Sequence, residues 1–405
     1  MTWAVEGLRW TLLPPVGGPP FRLVSGQEHL SSRVRPCVLA VGDRVLVWGG
    51  RDQSTTDDRG RPRPPEIGSG ITIDRTGHVV RRWTIDWHAG DTAALFGDCV
   101  VVAGPGAEGC QRALVFEPDH PEAAERYPSS LASRDQPAAF SGSALMVWGG
   151  DVPNDRMERV RGRSWPTDEG AVFDVATLTW TPIAPAPIEA RSRHVLEAVG
   201  DEVVVWGGKS WPQHAKARPL ADGAVYDTAT GRWRAMSPGP LSPRSMASSL
   251  TVGHRVFIWS GFGGASNAYR GDGALYDPES DTWTMLAEAP VRKPGAVAAA
   301  VGSLVLLSGG TYAGGRDVRL LIYDASSDDW ATPDLPQFSP GPASFAPLSN
   351  GDLYAWSFVD PTTEHAILSG LPGHENPGMI AVSDRRTVVA RETRAMVRHR
   401  FQSRT

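Results

Sequence analysis

The chain has 405 residues, a formal net charge of −5, 41% hydrophobic and 21% charged residues, a composition that fits a soluble globular fold and gives no global electrostatic pull toward nucleic acid. Its 44 Gly, 34 Pro and 15 Trp argue against helix bundles and for many short strands joined by turns. No run approaches the ~18 apolar residues of a membrane span, and Met1 to Pro20 lacks the basic and apolar regions of a secretory signal, so a cytoplasmic monomer with neither membrane nor nucleic-acid partner is expected.

In chain order, the first strand pattern is Arg9-Trp10-Thr11-Leu12-Leu13-Pro14. A hairpin then turns at Val41-Gly42-Asp43 into Arg44-Val-Leu-Val-Trp-Gly-Gly50. The same hairpin returns with Asp98 to Gly104, Ala144 to Gly150, Glu202 to Gly208, Arg255 to Gly261 and Ser303 to Gly310, and in degenerate form with Gly351 to Trp356. Spacing is about 50 residues, the period of a propeller blade. The Gly in each tight turn permits the positive φ that two-residue hairpin turns require.

After the double glycine comes a variable loop, then a strand closing on an aromatic-Asp pair: Phe173-Asp174, Tyr226-Asp227, Tyr276-Asp277 and Tyr323-Asp324. A polar turn and a fourth strand opened by Trp180, Trp233, Trp283 or Trp330 complete the unit. The Asp suits an Asx-type turn and the aromatics suit packing between blades. Two units depart from the pattern. One has Ala103-Gly104 for the double glycine and Phe116-Glu117 for aromatic-Asp, and the last keeps only its first hairpin clearly.

The order of double Gly, aromatic-Asp and Trp resembles the kelch repeat, the fold also of the galactose oxidase central domain. The resemblance implies an all-β β-propeller of about seven four-stranded blades over residues 1–390, followed by a basic tail at 391–405. The strand-like Arg9 to Pro14 copies Asp281 to Leu286 and is expected to close the ring as the outer strand of the last blade, with Met379 to Ala390 as a competing donor.

In such a fold the long B–C loops, roughly 51–69, 151–169, 209–222 and 262–272, share one face with the D–A links, and binding residues lie on loops held by a rigid scaffold. Trp165, Trp211, His214 and Tyr269 sit in these loops, either as binding anchors or as packing over the blade tops. Arg33, His88, Arg134, Arg191, Arg244 and Lys293 recur at one place before strand A. They read as a basic rim that takes a carboxylate or phosphate, or as partners consumed by Glu169, Asp222 and Asp272, which recur before strand C. His194, three residues after Arg191, reads as a polar core residue or a mouth residue.

No cofactor or metal is expected. The chain has no Tyr-His dipeptide of the copper radical oxidases, and Val205 stands where the iron-binding kelch specifiers carry His after Glu197 and Asp201. Cys37, Cys99 and Cys110 are too few and too scattered for a disulfide framework or a C-x-x-C unit. The function expected is therefore a recognition module for an anionic small molecule or a protein segment. A metal-independent isomerase or lyase, resembling sialic-acid epimerases in placing acid–base groups at the channel mouth, is the alternative.

Overall fold

A computed structural model describes residues 9–12, 33–34, 37–49, 51–52, 68–74, 76, 78–85, 92–105, 110–132, 138–153, 164–211, 217–264, 268–312, 315–316, 320–333, 344–348, 353–359 and 362–369. The chain divides into two compact units, one of Met1–Ala93, Pro118–Ala124 and Ala296–Met379, the other of Ala94–Glu117, Glu125–Gly295 and Ile380–Thr405. Arg134, His88, His214, the 379–390 segment and the 391–405 tail lie outside the described residues.

The larger unit holds four antiparallel sheets, each of four strands in the sequence order A-B-C-D. They are, as the second to fifth blades, Thr92–Phe96 to Glu125–Ala132, Ala138–Ser141 to Thr179–Pro182, Val195–Val199 to Arg232–Ala235, and Ser248–Val252 to Thr282–Met285. The other unit holds three such sheets. The first blade runs from Cys37–Val41 to Val79–Ile85 and the sixth from Ala296–Val301 to Asp329–Ala331. The seventh combines Ser344–Pro347, Leu353–Val359 and Thr362–Ser369 with Arg9–Leu12 as its fourth strand. Arg9 pairs with Ser369 and Leu12 with Ala366, so the two ends of the described chain meet in one sheet.

Strand B makes the period-2 logic explicit. In the fourth blade, Val203 and Val205 pack against Met146 and Trp148 of the third blade, while Val204 and Trp206 pack against Val256, Ile258 and Tyr276 of the fifth. Successive side chains of a strand point to opposite faces, so an apolar run without polar interruption is what a strand buried on both sides requires.

The aromatics tie neighbouring blades together. Trp148 meets Trp233 of the next blade edge-on at 5.8 Å between centroids, and Trp206 meets Trp283 in the same way at 5.7 Å. Three strand-D Trp residues also donate their indole N–H to the preceding blade: Trp180 to Tyr127 O (2.7 Å), Trp233 to Ala184 O (2.8 Å) and Trp283 to Ser237 O (3.1 Å). Inside a blade, the strand-C aromatic stacks on that Trp, as Tyr276 does on Trp283 at 4.8 Å. The Asp beside it caps the C–D turn, Asp174 Oδ1 accepting from the N–H groups of Ala176 and Thr177, both at 2.8 Å.

The glycine exit shapes the B–C connection. In the third and fourth blades the double glycine ends strand B, as Ser260-Gly261 does in the fifth, and the loop carries a short ribbon of its own: Asp151–Pro153 with Ser164–Pro166, Lys209–Ser210 with Arg218–Pro219, and Phe262–Gly263 with Ala268–Tyr269. Where Ala103-Gly104 replaces it, strand B runs on to Pro105 and pairs continuously with Cys110–Phe116. The two units with weak sequence marks are thus complete four-stranded sheets that lack only the long loop.

Trp206 is 1% exposed and bridges two blades. Trp206→Ala is expected to cost about 3–5 kcal/mol through the lost burial and residual cavity, read as a lowered urea midpoint.

Candidate functional site

The rim residues are built from the main chain upward. Where the second glycine of one blade exits strand B, its N–H donates to the carbonyl of the next blade's rim Arg: Gly150 to Arg191 O at 2.9 Å and Gly208 to Arg244 O at 2.8 Å. The Arg N–H returns the bond to the preceding loop, Arg191 to Thr167 O at 3.3 Å and Arg244 to Leu220 O at 3.0 Å. Gly208 has φ +90°, and a Cβ there would lie 2.8 Å from both Ser192 O and His194 Cβ. Only glycine fits this close approach without strain.

With their backbones clipped to the blade before, Arg191 and Arg244 turn their side chains into their own blade. Both are fully buried. Arg191 grips the Asp222 carboxylate through two N–H groups at 3.1 and 3.0 Å, and also donates to Gly207 O, Asp222 O and Glu189 O. Arg244 repeats this with Asp272 Oδ2 at 2.7 Å and the carbonyls of Ser260, Asp272 and Ser242. Burial pushes the Asp272 carboxyl up, but the hydrogen bond and charge of Arg244 outweigh it and hold its pKa below the ordinary value. Lys293 is likewise fully buried and engaged. Fully buried and turned onto a carboxylate and backbone carbonyls, neither guanidinium presents its donors at the surface. Of the two readings of the rim, the structure shows Arg191 and Arg244 as partners of Asp222 and Asp272, each ion pair lying within one blade.

His194 is 8% exposed and sits edge-on to Trp148 at 5.4 Å between centroids, and among the described residues neither ring nitrogen makes a well-aligned hydrogen bond. Burial, and then the charge of Arg191, push its pKa down to about 3, so it is a neutral imidazole wedged between blades. Among the described residues no carboxylate stands within hydrogen-bond reach of it, the arrangement that acid–base catalysis needs. On the same strand, Glu197 accepts a hydrogen bond from Ser249 Oγ of the next blade at 2.7 Å, and burial pushes its pKa up to about 7. This carboxyl has no motif that marks it as a site.

The loop aromatics stay at the surface of the scaffold. Trp165 is partly buried on its ribbon opposite Val152, with its indole N–H unpartnered. Trp211 is partly buried beneath the Lys209 ammonium, 5.6 Å from the ring centroid. Tyr269 pairs with Phe262 across the third ribbon, ring centroids 5.4 Å apart. The structure therefore brings Trp211 to Lys209 and Tyr269 to Phe262, each pair on its own blade. The residues that face outward beside the rim, Arg193 and Met246, fall two places after Arg191 and Arg244. Both hold positive φ, 55° and 56°, where the equivalent Gly295 has 72°. A glycine at that place in one repeat is the signal in the sequence that could have marked them.

Among the described residues no group of three or more His, Cys, Asp or Glu is arranged to hold a metal ion, and no helix is long and apolar enough to cross a membrane.

Blades of four antiparallel strands, joined by shared Trp, Gly and Arg marks, define a β-propeller repeat protein. A family model described as the KLHDC2/KLHL20/DRC7 Kelch-repeats domain matches residues 90–294, just over half of the chain, and the chain belongs to the kelch-repeat family. It is 22% identical over 322 residues to Kelch domain-containing protein 3 of Homo sapiens, covering 75% of this chain and 67% of that protein. It is 25% identical over 208 residues to Kelch-like protein terF of Aspergillus terreus, covering 49% of this chain and 44% of that protein. To Kelch-like protein 25 of Xenopus tropicalis it is 27% identical, covering 43% of this chain and 28% of that protein. The chain thus spans less than half of two of these relatives and about two thirds of the third.

Arg191→Ala is expected to lower stability by about 3–5 kcal/mol, because it strands a carboxylate and several carbonyls. Asp222→Asn, at a side chain 52% exposed, should cost about 1 kcal/mol. Equilibrium denaturation of both variants checks the asymmetry. The pH profile separates the two shifted groups. With its folded pKa below the unfolded 6.5, His194 contributes stability above pH 6.5 that is lost as pH falls toward 3. With its folded pKa above the unfolded 4.5, Glu197 contributes stability below pH 4.5 that is lost as pH rises through 7. His194→Leu should flatten the acid limb of stability against pH, and Glu197→Gln the limb between pH 4.5 and 7.

Proposed function

We propose that the chain is a kelch recognition module that binds a partner protein segment through the ribbon-bearing loop face of its larger unit. The observation that carries this reading is the contrast between the two kinds of polar group beside strand A. The buried rim cations are spent on the blade, whereas the adjoining ribbons carry Trp165, Phe262 and Tyr269 on two-stranded supports, with Trp211 directly after the first strand of its ribbon. Large aromatics with few torsions, presented on a scaffold that does not reorganise, give binding surface at low entropic cost. The kelch-named relatives support a protein-interaction role for the same fold.

The isomerase or lyase reading lacks a comparable observation. Its natural carboxylates, Asp222 and Asp272, are held by Arg191 and Arg244, and His194 is neutral and apart from them.

Trp165→Ala, Trp211→Ala and Tyr269→Ala, in three separate B–C loops, are each expected to weaken capture of a partner by about 10-fold or more with little loss of stability. Crosslinking mass spectrometry of the tagged protein in its native extract, repeated with each variant, measures this. Retained crosslinks in all three variants would move the interface off this face.

A further inference from the structure

Strand A of the fourth blade, Val195–Val199, stands between strand A of the third, Ala138–Ser141, and that of the fifth, Ser248–Val252. Across the first six blades, the third residue before the glycine of the A–B turn is Leu39, Ala94, Ala139, Glu197, Leu250 and Ala299. The fifth blade departs from the pattern beside Glu197. Ser249, one place before Leu250, replaces the Val, Ala or Leu of the other blades, and Thr251, one place after it, replaces Ala, Leu or Phe. The remaining residues at these three places are apolar, so the polar side chains fall together on two neighbouring strands.

These groups are joined across the two blades. Ser249 Oγ donates to Glu197 Oε1 and Thr251 Oγ1 to Ala198 O, both at 2.7 Å. Alternate residues of a strand share a face, so Ser249 and Thr251 both turn toward the fourth blade. Glu197 and Ser249 are each partly exposed. Among the described residues Glu197 Oε2 accepts no hydrogen bond and the carboxyl has no cationic partner. Val204 stands opposite it on strand B, Ala138–Ser141 and Ser248–Val252 carry no titratable group, and His194, just before its own strand, is neutral. A carboxylate drawn out of water without a counter-ion is costly, and a cation arriving at its open oxygen restores the pairing.

We propose that Glu197 and Ser249 form a subsite for the primary ammonium group of a small amphipathic amine. Oε1 is already engaged by Ser249, so one carboxylate oxygen is open, which suits a compact ammonium better than a two-pronged guanidinium. The Ser249 hydroxyl, its proton given to Glu197, keeps lone pairs for a second N–H of the same ammonium. On the same two strands Ala198 and Leu250 are partly exposed, and they supply apolar surface for the chain of the ligand. The carboxyl sits within strand A rather than on a long loop, which favours a small molecule over the side chain of a partner protein. The subsite is separate from the loop-face reading above, and neither depends on the other.

Isothermal titration calorimetry of the full chain with n-hexylammonium chloride, and with n-hexanol as the uncharged probe, tests this. At about pH 8.5 hexylammonium should bind at least about 10-fold more tightly than hexanol. Glu197→Gln should abolish that difference and Ser249→Ala reduce it, while Glu279→Gln, on an exposed turn, should change it by less than about twofold. Burial raises the pKa of the free Glu197 carboxyl to about 7, and a bound ammonium favours its ionised form. Wild-type affinity should therefore fall about 10-fold from about pH 8.5 to about pH 6, with close to one proton released on binding at the lower pH. Equal binding of hexylammonium and hexanol overturns the subsite, as does a hexylammonium affinity unchanged by Glu197→Gln or binding without proton release at about pH 6. The probe comparison and the proton release are read on the wild-type chain, so they decide the matter even where Glu197→Gln fails to fold. An acetylated and amidated Gly-Gly-Lys-Gly-Gly peptide that binds more tightly than hexylammonium overturns the assignment to a small amine.

Discussion

The larger unit depends on one repeated constraint, a buried guanidinium whose own main chain is clipped to the blade before it. Arg191 and Arg244 each join three things: the glycine exit of the preceding strand B, the Asp that starts their own strand C, and the carbonyls where their own strand B ends. A charge removed from water this completely is tolerable only when every donor is met and a carboxylate stands opposite. Satisfying the guanidinium therefore fixes the spacing of strands within a blade, and satisfying its backbone fixes the step to the previous blade. The glycines are the other half of the clip, because a side chain at Gly208 would collide with Ser192 and His194.

That arrangement explains how much could be read from the residues alone. Strand placement was plain, since Gly turns, Trp-Gly-Gly exits and Tyr-Asp pairs are local marks with local causes, and Asp174, Asp227 and the strand-D Trp residues play the parts their neighbours suggest. The role of the rim was not plain. Arg191 and Arg193 are both arginines near one mouth, and nothing in their spacing says which is buried. What separates them is tertiary: Asp222, more than thirty positions on in the chain, reaches back to one of them, while backbone handedness turns the other outward. Glu197 was similarly illegible, because its raised pKa comes from burial beside the next blade rather than from any motif.

The same constraint divides the molecule's polar groups by task. Groups that repeat in register, Arg191, Arg244 and their Asp partners, are consumed by the fold. Groups that break the repeat stand outside that network: Arg193 where Gly295 stands in another blade, Lys209 where the next blade has Phe262, and Trp165 and Trp211 on or beside ribbons of unlike sequence. A repeat scaffold lends itself to this division, since rigid blades let loops vary without cost to the core. Function in this family member is expected in the deviations, and the most conspicuous residues are those that hold the deviations in place.

Hydrogen–deuterium exchange of the free protein, resolved to the amides of Gly150 and Gly208, tests the clip most directly. If the clip holds the blades in step, both amides exchange only on the slow timescale of the buried strand-B amides such as those of Val147 and Val205. Exchange as fast as that of the exposed A–B turn amides, such as Asp201, would contradict the account, because the contact on which the blade order rests would then be open in the native state.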